Sequence, residues 1–193
     1  RARKGRALAG TGDKVRAVIA AAPFTPTGAQ MRAFEAAKSD MAAATRMMRL
    51  VHGDVGSGKT FVAALCAAHA AEAGVQTALM APTEILARQH AAVLTPLLAA
   101  AGIRVVTLTG RDKGRGRADI AAAIADGSAH VVCGTHALFQ EAVEFHDLGL
   151  VVIDEQHRFG VSDRKRLAEK GLAPDTLVMS ATPIPRTLTL AVY

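Results

Sequence analysis

A chain of 193 residues, half of them apolar, holds one sizeable hydrophobic core and excludes a second independent one. Twenty-three Lys and Arg against seventeen Asp and Glu give a formal charge of +6, which favours an acidic polymer as partner. No uninterrupted apolar stretch reaches bilayer length, no secretory leader pattern opens the chain, and Cys66 and Cys133 lack metal-ligand spacing. A soluble, cytoplasmic, reducing setting is expected.

Both ends read as cuts within a longer protein, with Arg1 in place of an initiator methionine and a helix-like run reaching Tyr193. Arg1, Arg3, Lys4 and Arg6 open a Gly- and Ala-rich segment that reads as linker, and Lys14 to Ala22 carries a short helical pattern closed by Pro23. Residues 1–22 are therefore expected as a lead-in from a preceding domain and 23–193 as the domain itself. After the turn at Phe24 to Thr27, a helix is expected from about Ala29 to Ala44. Gln30, in its first turn, is a candidate base reader, because a primary amide pairs with a donor and an acceptor on adenine together.

Met47 to Val51 supplies a strand and Phe61 to Ala73 an alanine-rich helix, and between them runs Gly53-Asp54-Val55-Gly56-Ser57-Gly58-Lys59-Thr60. This full GxxxxGKT match, in the strand–loop–helix setting the motif requires, reads as a nucleotide triphosphate cradle. Its glycines let the backbone fold tightly so that N–H groups point at phosphate, Lys59 neutralises phosphate charge, and Thr60 holds Mg²⁺.

Strand and helix then alternate, the signature of a parallel sheet with helices on both faces. Val75 to Met80 leads through Pro82-Thr83 into a helix whose apolar face is expected at Leu86, Val93, Leu94 and Leu97, with Thr95-Pro96 bending or breaking it. Ile103 to Leu108 ends in Thr109-Gly110 and the basic run Arg111, Lys113, Arg115, Arg117, ahead of a helix through Ile120 and Ile124. His130 to Cys133 ends in Gly134-Thr135-His136, Leu148 to Ile153 in Asp154-Glu155, and Thr176 to Met179 in Ser180-Ala181-Thr182. Ligands in such sheets bind outside the carboxyl ends of the strands, so these loops are expected on one edge.

The acidic doublet divides into two roles. Asp154 binds the magnesium opposite Thr60, and Glu155 orients and deprotonates the attacking water. Arg115 and Arg117 are candidates for gripping DNA phosphates. His52, His69, His90, His130 and His146 lack metal-ligand spacing and read as surface or packing residues.

Asp154-Glu155-Gln156-His157-Arg158-Phe159-Gly160-Val161, taken with residues 53–60, 81–90, 134–139 and 180–187 in order, resembles the RecG family of ATP-dependent DNA helicases. The resemblance implies the first RecA-like domain of a superfamily 2 motor, a three-layer P-loop NTPase fold around a mostly parallel sheet. It implies ATP and Mg²⁺ as cofactors, with catalysis by Lys59, Asp154 and Glu155. It assigns adenine contact to Phe24, Thr27 and Gln30, and the phosphate cradle to Gly53, Asp54, Val55, Gly56, Ser57, Gly58, Lys59 and Thr60.

Thr60 and Asp154 would hold the metal, while Gln156, His157, Ser180 and Thr182 would couple nucleotide state to movement. Pro82, Thr83, Thr109, Gly110, Thr135 and His136 look like strand-tracking positions. The implied partners are branched or duplex DNA, a second RecA-like domain bearing an arginine finger, and a fork-splitting wedge domain of the same protein. Two positions bear on the comparison: Pro26 stands where the family pattern has leucine, and Gln156 where related repair and restart translocases carry Glu. A nucleotide-gated switch without translocation is the competing reading; a small-molecule kinase is disfavoured by the Asp-Glu-Gln-His run.

Overall fold

The computed structural model describes residues 4–54, 56–140, 142–154, 166 and 173–181. In chain order the elements are α1 (Asp13–Ala21), α2 (Gly28–Met41), β1 (Met48–His52), α3 (Lys59–Glu72), β2 (Gln76–Met80) and α4 (Glu84–Ala99). They continue with β3 (Val105–Leu108), α5 (Gly114–Ala125), β4 (Val131–Gly134), a 3₁₀ turn (His136–Phe139), β5 (Leu148–Asp154) and β6 (Asp175–Ser180). All six expected strands are present, with ends within two residues of expectation.

The strands form one sheet in the order β1-β6-β5-β2-β4-β3, every neighbouring pair parallel. The central strands are near-continuous apolar runs because both faces are covered. Alternation along them sorts residues between two cores. Leu79, Val131, Cys133, Leu150 and Val152 face the cluster shared with α1 to α4. Ala78, Met80, Val132, Val151 and Ile153 face a second cluster with Ile124, Leu138 and Phe139. The result is the expected three-layer α/β arrangement.

The layer of helices is centred on α3, whose residues Phe61 to Ala70 are all buried. Such a helix, apolar all round, needs neighbours on every side, and the lead-in segment provides one. Leu8 is only 3% exposed, its N–H donates to the Met41 carbonyl, and its own carbonyl accepts from His69 Nε2 at 3.1 Å. The Glu72 carboxylate, at the far end of α3, accepts the backbone N–H groups of Gly12, Lys14 and Val15 at the start of α1. The helix amino terminus is thereby capped from another element. Leu8 and the start of α1 are thus tied to α3, while Gly5 bonds to the Ala44 carbonyl and Arg6 pairs with Asp147.

Helix α4 departs from the expected face. The buried residues are Ala87, Ala91, Leu94, Leu97 and Leu98, while Val93 is 50% exposed and Leu86 half-buried. Leu94 and Leu97 are buried as expected, whereas the small Ala87 and Ala91, rather than Leu86 and Val93, complete the packed face. Pro96 sits inside the helix without ending it. Ala92 and Pro96 are both exposed, so the carbonyl left without an N–H partner faces water.

Burial pushes both cysteine thiols up to about 12, leaving them inert packing groups. Among the described residues, no helix is long and apolar enough to cross a membrane.

Asp175, at the start of β6, is 3% exposed and accepts the Met47 N–H at 2.7 Å. Burial raises its carboxyl to about 6, against the lowering pull of that hydrogen bond and of Arg46. A raised folded-state value means the protonated form is favoured by folding. The contribution to stability is full at acid pH and is lost as pH rises through about 6. Asp175→Asn keeps the acceptor and removes the charge, so its melting temperature should exceed that of the wild type at pH 8. The gap should close as pH falls through 6; a gap independent of pH would contradict the assignment.

Candidate active site

Parallel pairing sends every strand's carboxyl end to one edge, and the register sets which ends meet. Val51 faces Met179, which faces Asp154, and His52 faces Ser180. The Gly53 N–H, one residue past β1, donates to the Ser180 carbonyl at 3.0 Å. The root of the phosphate loop is therefore fixed to the end of β6. Asp154 lies one strand further, roughly 10 Å from the β1 axis at about 4.8 Å per strand spacing.

Within the loop, Gly56 and Gly58 take φ of 82° and 79°, values that L side chains rarely adopt. Gly58 also caps the amino terminus of α3, so the positive end of that buried helix opens into the loop. Lys59 Nζ donates to the carbonyls of Gly53 at 2.7 Å and Asp54 at 3.0 Å. The ammonium is thus held across the loop, with a third donor for phosphate. Asp54, Gly56 and Ser57 are exposed and Thr60 half-buried; Val55 lies outside the described residues.

Thr27 and Gln30 form a capping box at the start of α2. Thr27 Oγ1 accepts the Gln30 N–H at 3.1 Å, and Gln30 Oε1 accepts the Thr27 N–H at 2.9 Å. The same amide donates from Nε2 to the carbonyls of Ser57 and Gly58, at 3.3 and 3.4 Å. Gln30, 8% exposed, therefore ties this turn to the phosphate loop. Those two bonds are long against the usual 2.9–3.0 Å for N–H···O. A Cβ on Gly58 would lie 2.1 Å from Gln30 Nε2, a second reason for glycine there. Phe24 meets Phe61 edge to face with ring centroids 4.9 Å apart and stays 45% exposed, leaving ring surface beside the turn.

On the acidic side, Asp154 Oδ2 accepts from His90 Nε2 at 2.8 Å, with the two side chains 17% and 13% exposed. A hydroxyl at Thr60 and a carboxylate at Asp154 are hard oxygen donors of the kind Mg²⁺ takes, so the donor chemistry fits that ion. Glu155, Gln156, His157 and Thr182 lie outside the described residues. Ser180 is 7% exposed and supplies its carbonyl to the phosphate loop.

The remaining loops line the same edge toward β3. Thr83 caps α4, accepting the Leu86 N–H at 3.2 Å, and is exposed beside half-buried Pro82. Thr109 is fully buried. Its N–H and hydroxyl both donate to Asp112 Oδ2, at 2.7 and 3.1 Å, so its side chain turns inward and exposed Gly110 presents the loop.

Arg117 donates to the Thr109 carbonyl at 3.1 Å and to Gln140 Oε1 at 3.2 Å, bracing the turn. Arg111 pairs with Glu84 at 3.0 Å, while Arg115 is exposed. His136 is exposed and Thr135 half-buried after β4.

The profile of the DEAD/DEAH box helicase family matches residues 27–190, most of the chain. The chain belongs to the DEAD/DEAH box helicase family. It is similar to the ATP-dependent DNA helicase RecG of Escherichia coli (strain K12), 54% identical over 180 residues that span 91% of this chain and 26% of the relative. The RecG of Bacillus subtilis (strain 168) is 50% identical over 175 residues, again 91% of this chain and 26% of the relative. A solved structure of RecG bound to a three-way DNA junction superposes with a TM-score of 0.86 and 45% identity, covering 98% of this chain and 25% of that one. The resemblance drawn from the motifs is thereby borne out. The chain spans about a quarter of the length of the curated relatives it matches.

For this helicase-family domain, Pro26 does not disturb the turn, since the capping box that follows it is complete. His90 is the residue sequence reasoning missed. It stands 64 positions from Asp154, and its one local signal is a polar side chain directly beside buried Ala91. The bonds of Arg117 to Thr109 and Gln140 carry no signal in the sequence.

If Gln30 reads adenine, Gln30→Ala removes the amide that pairs with it. Nucleotide titrations should show ATP affinity falling about tenfold, the loss of one to two hydrogen bonds, with GTP affinity unchanged. Equal losses for both nucleotides would contradict base reading by Gln30.

Proposed function

We propose that this chain is the first RecA-like motor domain of an ATP-dependent DNA helicase that remodels branched DNA. The observation that carries it is the single sheet edge on which the phosphate loop, Asp154 and the exposed turns at Thr83, Gly110 and His136 stand together.

In this reading ATP lies with its adenine against Phe24 and Gln30 and its β- and γ-phosphates in the loop of Gly53 to Thr60. Loop N–H groups and the amino terminus of α3 receive the phosphate oxygens. Lys59 turns its remaining donor to the γ-phosphate, and Thr60 and Asp154 hold Mg²⁺. That ion, when bound, neutralises charge on the phosphate oxygens. Glu155 orients the attacking water and takes its proton, and an arginine from a second motor domain meets the charge that builds on the γ-phosphate.

DNA phosphates are received at the exposed turns after β2, β3 and β4 through backbone N–H groups, the Thr83 and Thr135 hydroxyls, and Arg115. Arg117 contributes by bracing the Thr109 turn. Gln156, His157, Ser180 and Thr182 pass nucleotide state to the second domain.

The test is ATP turnover by the full-length protein with and without a three-way DNA junction. Turnover should rise with the junction and be accompanied by strand displacement. Lys59→Ala should lower kcat by at least about a hundredfold, the scale of losing one preorganised charge contact to phosphate. Absence of hydrolysis with any DNA would overturn the proposal, and hydrolysis without strand displacement would favour a nucleotide-gated switch.

Replacing exposed Arg115 with alanine should reduce the slope of log binding constant against log salt for junction DNA by about one phosphate contact. Arg117→Ala should weaken binding through the Thr109 turn while also lowering thermal stability. An unchanged slope for Arg115→Ala removes that residue from the interface.

A further inference from the structure

We propose that His90 is a positioning residue for Asp154: its imidazole N–H holds the carboxylate in the orientation that receives magnesium. The inference rests on the reading of Asp154 as metal ligand given above.

An ionised carboxylate only accepts hydrogen bonds, so at 2.8 Å the donor is His90 Nε2–H and the acceptor is Asp154 Oδ2. Both side chains are more than four-fifths buried, where water competes poorly for either partner and a hydrogen bond is stronger than at the surface. The bond therefore has one defined geometry, unlike the exposed ion pairs Arg16–Asp13 or Arg111–Glu84.

Each partner is mounted on a rigid element. Asp154 ends β5, which is paired on both sides, to β2 and to β6. His90 projects from α4, which is anchored through Ala87, Ala91, Leu94 and Leu98 and capped by Thr83. With Oδ2 engaged by α4, rotation of the carboxylate about its Cβ–Cγ bond is restrained. The other oxygen then has a fixed direction.

The chemistry of the donor matters as much as its place. An imidazole gives one N–H without having to carry a charge, so it orients the carboxylate and need not neutralise it. An ammonium or guanidinium at the same distance would compete with a divalent cation for the same negative charge. Hydrogen bonds to a ligating carboxylate set its direction, and losing one typically costs about 10- to 100-fold in metal affinity.

Helix α4 also begins at exposed Thr83. One rigid helix therefore carries both a proposed DNA contact and the group that aims the metal ligand.

Two amide substitutions separate positioning from packing. In His90→Gln the side-chain Nε2 falls near the place of the imidazole Nε2; in His90→Asn the amide is one carbon short and cannot reach Asp154. The measurement is the magnesium concentration that half-saturates binding of a fluorescent ADP analogue to the full-length protein, together with the affinity for that analogue without magnesium.

His90→Asn should raise the half-saturating magnesium concentration about tenfold or more, with magnesium-free affinity unchanged. His90→Gln should stay within about threefold of the wild type, rescued by its reach. A wild-type magnesium response in His90→Asn overturns the inference, as does His90→Gln behaving like His90→Asn. Loss of magnesium-free affinity in both variants assigns the histidine to folding and overturns it as well. If the wild type and Asp154→Asn bind the analogue alike at every magnesium concentration, it is the metal-site reading itself that fails.

Discussion

The hydrogen bond from the Gly53 N–H to the Ser180 carbonyl, 3.0 Å long, is the constraint on which the arrangement of the site depends. It extends the β1–β6 ladder by one residue into the phosphate loop, so the loop leaves the sheet with its root fixed. Because β6 is also paired to β5 in register, the same ladder sets where Asp154 stands relative to the loop. Two segments about a hundred positions apart are thus spaced by backbone geometry rather than by side-chain contacts. Parallel pairing alone brings the ends to one edge; the β1-β6-β5 order decides which of them are neighbours.

Side chains from distant segments then secure each functional loop. Gln30 reaches from the turn before α2 to two carbonyls of the phosphate loop, His90 from α4 to Asp154, and Arg117 from α5 to Thr109. These are polar bonds at the rim of a core that is otherwise apolar on both sheet faces. Their lengths differ. The bonds of Gln30 to the loop carbonyls are long, at 3.3 and 3.4 Å, and that of His90 to Asp154 is short, at 2.8 Å.

The six strands and their order along the chain were legible because each is a short, largely apolar run closed by Gly, Pro or a polar cluster, and the phosphate loop because its glycines and Lys59-Thr60 carry their own chemistry. The order of strands in the sheet was not legible, since β1 and β6 pair across most of the chain and their local patterns resemble those of any buried strand. Side-chain size misled at part of α4: Leu94 and Leu97 pack as expected, but Ala87 and Ala91 take the places expected for Leu86 and Val93. Pro96 does not end the helix; Ala92, whose carbonyl loses its N–H partner, is exposed. His90 was invisible for a different reason. A histidine whose partner lies 64 positions away obeys no spacing rule, and only the fold brings it to Asp154.

In the proposed site one metal ion lies between the start of α3 and the end of β5. The most direct test is a crystal of the full-length protein with ADP and Mn²⁺ in place of Mg²⁺, in which anomalous scattering locates the ion. The ion should lie between the Thr60 hydroxyl and the Asp154 carboxylate, against the nucleotide phosphates. A manganese peak away from both residues, with ADP seated in the loop of Gly53 to Thr60, would contradict it.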